Sequence, residues 1–340
     1  MVGFAVIGLG MGRSRARLIH QTQGARVAVV CDVVESLARE VGEELACPWT
    51  PHLDDALARP DVDVVQVMTP SGMHAEHGIR AARAGKHVIT TKPMDVRSQA
   101  CDQLIAAATA AGVRLGVDYQ SRYVPTNFRV ARAMREGLLG RPILGEVRFK
   151  WFRSQEYFQH GTGWRGTWAM DGGGSLANQG AHLLDLLLWF MGDPVRLYAE
   201  TAVMNHRIET EDLGLVMLSF ASGAKGTILG TTTFPESAYF GAEVHGALGG
   251  VRIEAALDGT AQYYGPGLAE KLAALPGPPV ANIAEDVVSC LERGTDLMVD
   301  GREGRRTVAL LEDIYRSARE GVVVECGRAG GAPPPGREKT

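Results

Sequence analysis

The strongest constraint on this chain lies in its first residues. An apolar, strand-like run, Phe4-Ala5-Val6-Ile7, passes straight into Gly8-Leu9-Gly10-Met11-Gly12-Arg13 and then into a helical segment, Ser14 to Gln21. Glycines at such a junction let the backbone turn tightly and bring N–H groups close to a pyrophosphate at the positive end of a helix. The sixth position of the dinucleotide-binding pattern GxGxxG is Arg13 here, and a plain tight turn would use the same glycines. The reading therefore needs a second feature.

Asp32 supplies it. It ends the next apolar run, Val27 to Cys31, about 20 residues past the loop, where an acidic side chain accepts hydrogen bonds from the adenosine ribose hydroxyls. Val33 and Val34 follow and offer no cation for a 2′-phosphate, so NAD is expected rather than NADP; Arg13 is the one nearby residue that would serve such a phosphate. The alternation continues through a helix (Val34 to Leu45), a strand (Val62 to Met68), a helix (His74 to Ala84, closed by Gly85), a strand (Val88 to Thr90), a helix (Ser98 to Ala111) and a strand (Val113 to Val117). Short β-branched runs alternating with amphipathic segments are the pattern of βαβ units in a parallel sheet. The fold class expected is α/β, with an N-terminal Rossmann dinucleotide-binding domain over residues 1–120.

Beyond that point the rhythm changes. Gly145 to Phe152, Leu213 to Phe220, Lys225 to Phe234, Ala242 to His245 and Val251 to Ala255 read as strands, with glycine turns at 221–224 and 246–250. They predict a C-terminal α/β domain over 121–326, with an open, mainly antiparallel sheet carrying a helix from Leu176 to Met191. The closing helices, Ile283 to Arg293 and Glu303 to Glu320, are expected to pack back on the body. Residues 327–340, with Pro333-Pro334-Pro335, read as a disordered tail. A chain of 340 residues suits two domains, because single cores stop growing near roughly 250 residues.

Composition removes several function classes. With 35 basic against 39 acidic residues the formal charge is −4, which argues against a nucleic-acid surface. The longest apolar run, Leu183 to Met191, is interrupted by Asp185 and falls short of the roughly 20 residues a membrane span needs. The N-terminus lacks the basic region and cleavage site of a signal peptide. Five scattered cysteines without a CxxC pair point to reduced thiols in a cytoplasm and to no structural zinc.

Candidate chemistry gathers at strand ends. Met68-Thr69-Pro70-Ser71-Gly72-Met73-His74 is a polar turn at the carboxyl edge of the sheet, where Thr69, Pro70 and Ser71 would line the nicotinamide half of a site. His74 joins them, or is a plain helix N-terminal histidine. Thr91-Lys92-Pro93 puts a lysine at the mouth of the same edge. Farther on, a flexible triple glycine, Gly172 to Gly174, leads into Asn178, His182 and Asp185, which at i, i+4 and i+7 share one face of a helix. A polar stripe on so apolar a helix is something burial alone disfavours. His182 with Asp185, like His74 with His77, gives only two ligands at i, i+3, so no metal is expected.

These motifs, in this order and across nearly the whole chain, resemble the Gfo/Idh/MocA oxidoreductases. The resemblance is carried by the glycine loop, Ala84-Gly85-Lys86-His87-Val88, Lys92-Pro93, Tyr119 to Pro125, the run from Gly172 to His182 and Asp185, and Val244-His245-Gly246 to Ile253-Glu254. It implies Lys92 and His182 as the catalytic pair, and a subunit interface on the second sheet, hence a homodimer or homotetramer. Two positions depart from the family pattern: Thr91 replaces a glutamate, and Asn178 replaces an acidic residue. Losing that carboxylate removes a charge that would hold a proton on a neighbouring lysine or histidine, so acid/base work shifts onto His182.

The expected reaction is hydride transfer between nicotinamide C4 and a carbinol carbon of a sugar, sugar derivative or cyclitol. His182 would act as base and Lys92 would polarise the oxygen. Met11, Thr91, Lys92 and Pro93 complete the expected cofactor contacts. Arg122, Tyr123, Tyr157, Trp164, Arg165 and Asp185 are candidates for substrate hydroxyls. Asn178 and the Trp164 to Trp168 segment also look like members that act on nucleotide-linked amino sugars. Two other readings are a glycosidase or lyase that oxidises its sugar transiently with held NAD, and a non-catalytic NAD-dependent sensor, against which Lys92 and His182 count.

Overall fold

A computed structural model describes residues 1–327. In chain order the elements begin β1 (Val2–Ile7), α1 (Leu9–Gln21), β2 (Ala25–Cys31), α2 (Glu35–Glu44), β3 (Trp49–Thr50), α3 (Leu53–Ala58), β4 (Val64–Val67), α4 (His74–Arg83), β5 (His87–Thr91), α5 (Ser98–Ala111) and β6 (Leu115–Asp118). There follow α6 (Pro125–Arg135), β7 (Pro142–Lys150), α7 (Gln155–Gln159), α8 (Ala181–Met191), β8 (Pro194–Ala202), β9 (Leu213–Phe220), β10 (Lys225–Thr231), β11 (Tyr239–Gly246), β12 (Gly249–Ala255) and β13 (Thr260–Tyr264). The last are α9 (Leu268–Ala273), α10 (Ile283–Arg293), α11 (Gly301–Glu320) and β14 (Val324–Glu325). The proposed tail from 328 lies outside the described residues. No helix among the described residues is long and apolar enough to cross a membrane.

The described chain divides into two units, residues 1–119 with 280–305, and residues 120–279 with 306–327. The first holds a six-stranded sheet in the order β3-β2-β1-β4-β5-β6, every pair parallel. All of β1 and all of β4 are buried, as strands covered on both faces must be. Strand order reverses between β1 and β4, and ligands of such sheets bind at the carboxyl ends of the strands at that switch point. The segment 280–305 rejoins this unit. Asn282 caps α10 by accepting from the N–H groups of Ala284 and Glu285, and Val299 accepts from the N–H of Val117 at 3.0 Å.

The second unit holds eight strands in the order β13-β12-β11-β7-β10-β9-β8-β14. The sheet is mainly antiparallel as expected, with a central exception: β7 and β10 run parallel. On β9, Val216 and Leu218 are buried while Leu215 and Met217 are 44% and 62% exposed, so one face meets the core and the other is uncovered. Helix α8 is apolar nearly all round because it belongs to that core.

The helix expected from Leu176 to Met191 is in fact two pieces. Ser175–Gln179 forms a π-helical turn, closed by the Gly180 N–H donating to the Ser175 carbonyl at 2.9 Å, and α8 starts only at Ala181. A Cβ at position 180 would lie 2.6 Å from the Leu176 carbonyl oxygen and 2.8 Å from the Phe149 ring, so glycine is what permits the wide turn. Spacing arithmetic that put Asn178, His182 and Asp185 on one α-helical face does not apply across this break.

Candidate active site

In the first unit the glycine segment is not a loop before the helix; it is the first turn of α1, which begins at Leu9 rather than Ser14. Its three glycines do different things. Gly8 has φ +85°, and a Cβ there would sit 2.8 Å from the backbone of Met68 and Thr69. Gly12 lets the helix press on the sheet, its missing Cβ only 3.1 Å from the Met68 side chain and 3.3 Å from Val6. At Gly10 a Cβ would meet nothing within 4 Å, so the backbone there is open to a ligand. An exposed helix start with first-turn N–H groups and no side chain in the way fits a dinucleotide pyrophosphate.

Asp32 braces this turn. Its Oδ2 accepts from the Leu9 N–H at 2.6 Å and its Oδ1 from the Val34 N–H at 2.9 Å, and a carboxylate with two lone pairs per oxygen retains capacity for ribose hydroxyls. Arg13 points elsewhere. It pairs with Glu40 at 2.7 Å and with Glu44, and these two carboxylates hold it against α2, which disfavours service to a 2′-phosphate.

Thr69, Pro70 and Ser71 lead out of β4 towards α4, and Lys92 and Pro93 follow β5, so both segments leave the same edge of the sheet. Lys92 is half-buried and the Lys92–Pro93 peptide is cis. His74 presents no surface to a cofactor, contrary to expectation. It is wholly buried, with Nδ1 2.8 Å from the Pro93 carbonyl oxygen and Nε2 2.7 Å from that of Thr69, and so staples the two segments together. Burial pushes its pKa down, while the two carbonyls and the nearby Asp95 favour the charged ring. Asp95, whose own pKa burial raises, accepts from the N–H groups of Ala75 and Val96 at 2.9 and 2.7 Å. At the end of β6, buried Asp118 pairs with Arg15 of α1, a contact across 103 residues that sequence reading missed.

In the second unit the triple glycine is pinned rather than flexible. Buried Glu211 accepts from the N–H groups of Gly174 and Leu176 at 2.9 and 2.8 Å, and from the Tyr315 hydroxyl at 3.2 Å. Burial pushes both the Glu211 carboxyl and the Tyr315 phenol above their usual pKa values. A Cβ on Gly174 would overlap the Glu211 carbonyl oxygen, and one on Gly173 the Tyr315 hydroxyl. Glu211 was also missed, although a Glu-Asp pair opening an apolar strand is the signal that marks it.

Asn178 donates its Nδ2 to Asp171 Oδ1 at 2.8 Å, and Asp171 Oδ2 accepts from the Gly166 N–H at 2.8 Å. A carboxylate therefore stands one hydrogen bond away from the position where the family pattern has an acid. His182 is half-buried in the first turn of α8. Arg122 and Asp185, expected to reach substrate, instead face each other: Nε and Nη2 donate to the two carboxylate oxygens at 2.8 and 2.7 Å, both side chains buried, with the guanidinium over Trp189 at 4.8 Å. Tyr123 is buried too. Arg122 and Asp185 belong to the interior because an ion pair taken out of water is kept only with such full pairing. Tyr157, Trp164 and Arg165 remain half-exposed and lie together, Arg165 stacking over both rings at 4.9 and 4.8 Å. Among the described residues no group of three or more metal-ligating side chains occurs.

Comparison with known proteins agrees with this architecture. Residues 2–119 match the oxidoreductase family with an NAD-binding Rossmann fold, and residues 128–252 match the GFO/IDH/MocA C-terminal domain. D-apiose dehydrogenase of Paraburkholderia graminis is 29% identical over 94% of this chain and 88% of its own length. Inositol 2-dehydrogenase of Rhizobium meliloti is 25% identical over 94% and 97%. The WlbA dehydrogenase of Bordetella pertussis, solved with NADH and UDP-GlcNAcA, superposes with a TM-score of 0.87 at 32% identity, over 96% of this chain and 99% of that one. Its counterpart from Chromobacterium violaceum gives 0.89 at 31% identity, over 97% of both. The chain belongs to the Gfo/Idh/MocA family of NAD-binding oxidoreductases.

Proposed function

We propose that this protein oxidises a carbinol carbon of a sugar, sugar derivative or cyclitol, with Lys92 and His182 as its acid/base pair. The observation that carries the reading is the edge of the first sheet. There the open helix turn at Gly8, Gly10 and Gly12 shares the carboxyl side of the strands with Thr69 and Lys92, and His74 fixes the latter two segments to one another. Bound NAD supplies nicotinamide C4 as the hydride acceptor. His182 would take the proton of the hydroxyl being oxidised to a carbonyl. The Lys92 ammonium stabilises negative charge developing on the oxygen. Asn178 carries no charge of its own and is held by Asp171, so proton transfer rests on His182.

Met11 and Gly10 would approach the pyrophosphate, Asp32 the ribose, and Thr69 to Ser71 with Thr91 and Pro93 the nicotinamide side. The uncovered sheet face with Leu215 and Met217 supports assembly into a homodimer or homotetramer. Thiols at Cys31, Cys47, Cys290 and Cys326 accord with a cytoplasmic setting. A panel of sugars and cyclitols with added NAD tests the reading: net NADH should accumulate with oxidised product. Product without net NADH would replace it by the transient-oxidation route of a glycosidase or lyase.

A further inference from the structure

Resting on the oxidoreductase reading above, we propose that the substrate carries an anionic group, a phosphate, diphosphate or carboxylate, and that Arg153 and Arg165 bind it. The two guanidiniums share the Tyr157 ring, and each also lies over a tryptophan. Arg153 lies 4.8 Å over the Trp151 ring and 4.8 Å over Tyr157, and Arg165 lies 4.9 Å over Tyr157 and 4.8 Å over Trp164. Stacking uses the flat face of a guanidinium and leaves its N–H edge for an in-plane, two-point contact with an oxyanion.

Both cations lack a carboxylate partner among the described residues, whereas Arg122, Arg306 and Arg316 of the same unit each have one. Arg153 donates Nη1 to the Phe152 carbonyl at 3.1 Å, but its Nε is buried with no acceptor among the described residues. A buried donor left unmade is costly and points to a missing acceptor. Carboxylates nearby are engaged otherwise: Glu156 with Ser154, Glu209 with the Trp168 N–H, and Asp171 with Asn178. Two like charges sharing one ring without a counter-charge repel each other, and an anion between their edges removes that cost.

The stack is tied to the candidate chemistry within the same unit. Gln179 donates Nε2 to the Tyr157 hydroxyl at 3.0 Å, from the π-helical turn that ends three residues before His182. The Tyr157 ring thus shares its anchor with the segment that leads into the proposed base.

The test uses the NAD-loaded full chain, titrated with uridine diphosphate, with glucuronate and with neutral myo-inositol, binding being read by tryptophan fluorescence and calorimetry. At least one of the two anions should bind more tightly than myo-inositol, and which one does so separates a diphosphate from a carboxylate. Arg153→Gln and Arg165→Gln should each weaken binding of that anion about tenfold or more, while NAD affinity is unchanged. Arg153→Lys and Arg165→Lys, which keep the charge but lose the planar edge, should fall between, and they also serve should a glutamine variant misfold. Equal binding of all three compounds, or anion affinity unchanged in every folded variant, would overturn the proposal. Failure of the oxidoreductase reading shows separately, as absence of NADH formation with any compound.

Discussion

The two units fix their candidate residues by different means. In the first, backbone does the shaping: a glycine at φ +85°, an open helix turn and two strand ends set the geometry, and the residues involved sit where parallel-sheet topology sends them. In the second, buried polar side chains do it. Asn178 is held by Asp171, the triple glycine by Glu211 from 37 residues away, and Arg122 by Asp185 from 63 residues away. In the first unit an added Cβ at Gly8 or Gly12 runs into Met68, Thr69 or Val6, whereas in the second the arrangement rests on pairs of side chains.

The contrast can be broken most sharply at Asp185. If it is an interior partner, Asp185→Ala strands the Arg122 guanidinium and lowers stability by about 3–5 kcal/mol in a denaturant titration. A variant of ordinary stability with a raised KM would instead return the residue to the substrate.

Glycines of the first unit should separate next. Gly8→Ala combines a left-handed backbone with overlap on Met68 and Thr69 and should cost about 2–4 kcal/mol. Gly10→Ala meets nothing, so its stability should change by less than about 1 kcal/mol while NAD binding weakens. Similar losses of stability at both positions would dismiss the division of roles.

The smallest effect expected is in pH dependence. His74, His77 and His87 have pKa values held below the ordinary 6.5, chiefly by burial. Between those values and 6.5 the unfolded chain binds protons that the folded first unit does not, so this unit loses stability as pH falls through that window; Asp95, raised by burial, opposes it in part. Glu211 behaves in the opposite way. Its pKa is raised above 4.5, so the second unit gains stability as pH falls through the range above that value. Hydrogen exchange corrected for intrinsic rate, compared at about pH 7 and about pH 5.5, should show protection falling around β4 and β5 but not around Gly172 to Gly174. Parallel losses in both would contradict the assignment.

Legibility in the sequence follows the same line. The turn at Gly8 and the elements Ser98–Ala111, Leu213–Phe220 and Ile283–Arg293 are readable because periodicity and local spacing determine them. Strand β13 was not, since it is mostly exposed and carries no apolar alternation. Nor were the partners of Asn178, Asp185 and His74, because a side chain's type and spacing do not say which distant group the fold will set against it. His74 had the composition of a site residue and the burial of a core one. Asp171 was overlooked beside the triple glycine, although it holds the amide that stands in for the family's acid.

In the proposed NAD-dependent oxidation His182 takes the proton and Lys92 stabilises the charge developing on the oxygen. Single-turnover NADH formation by Lys92→Ala and by His182→Ala, on the best substrate of the sugar panel and with NAD saturating, tests it most directly. Each variant should fold, bind NAD and lose about 100-fold or more in the rate of hydride transfer. Rates within about threefold of the parent in both would contradict the account.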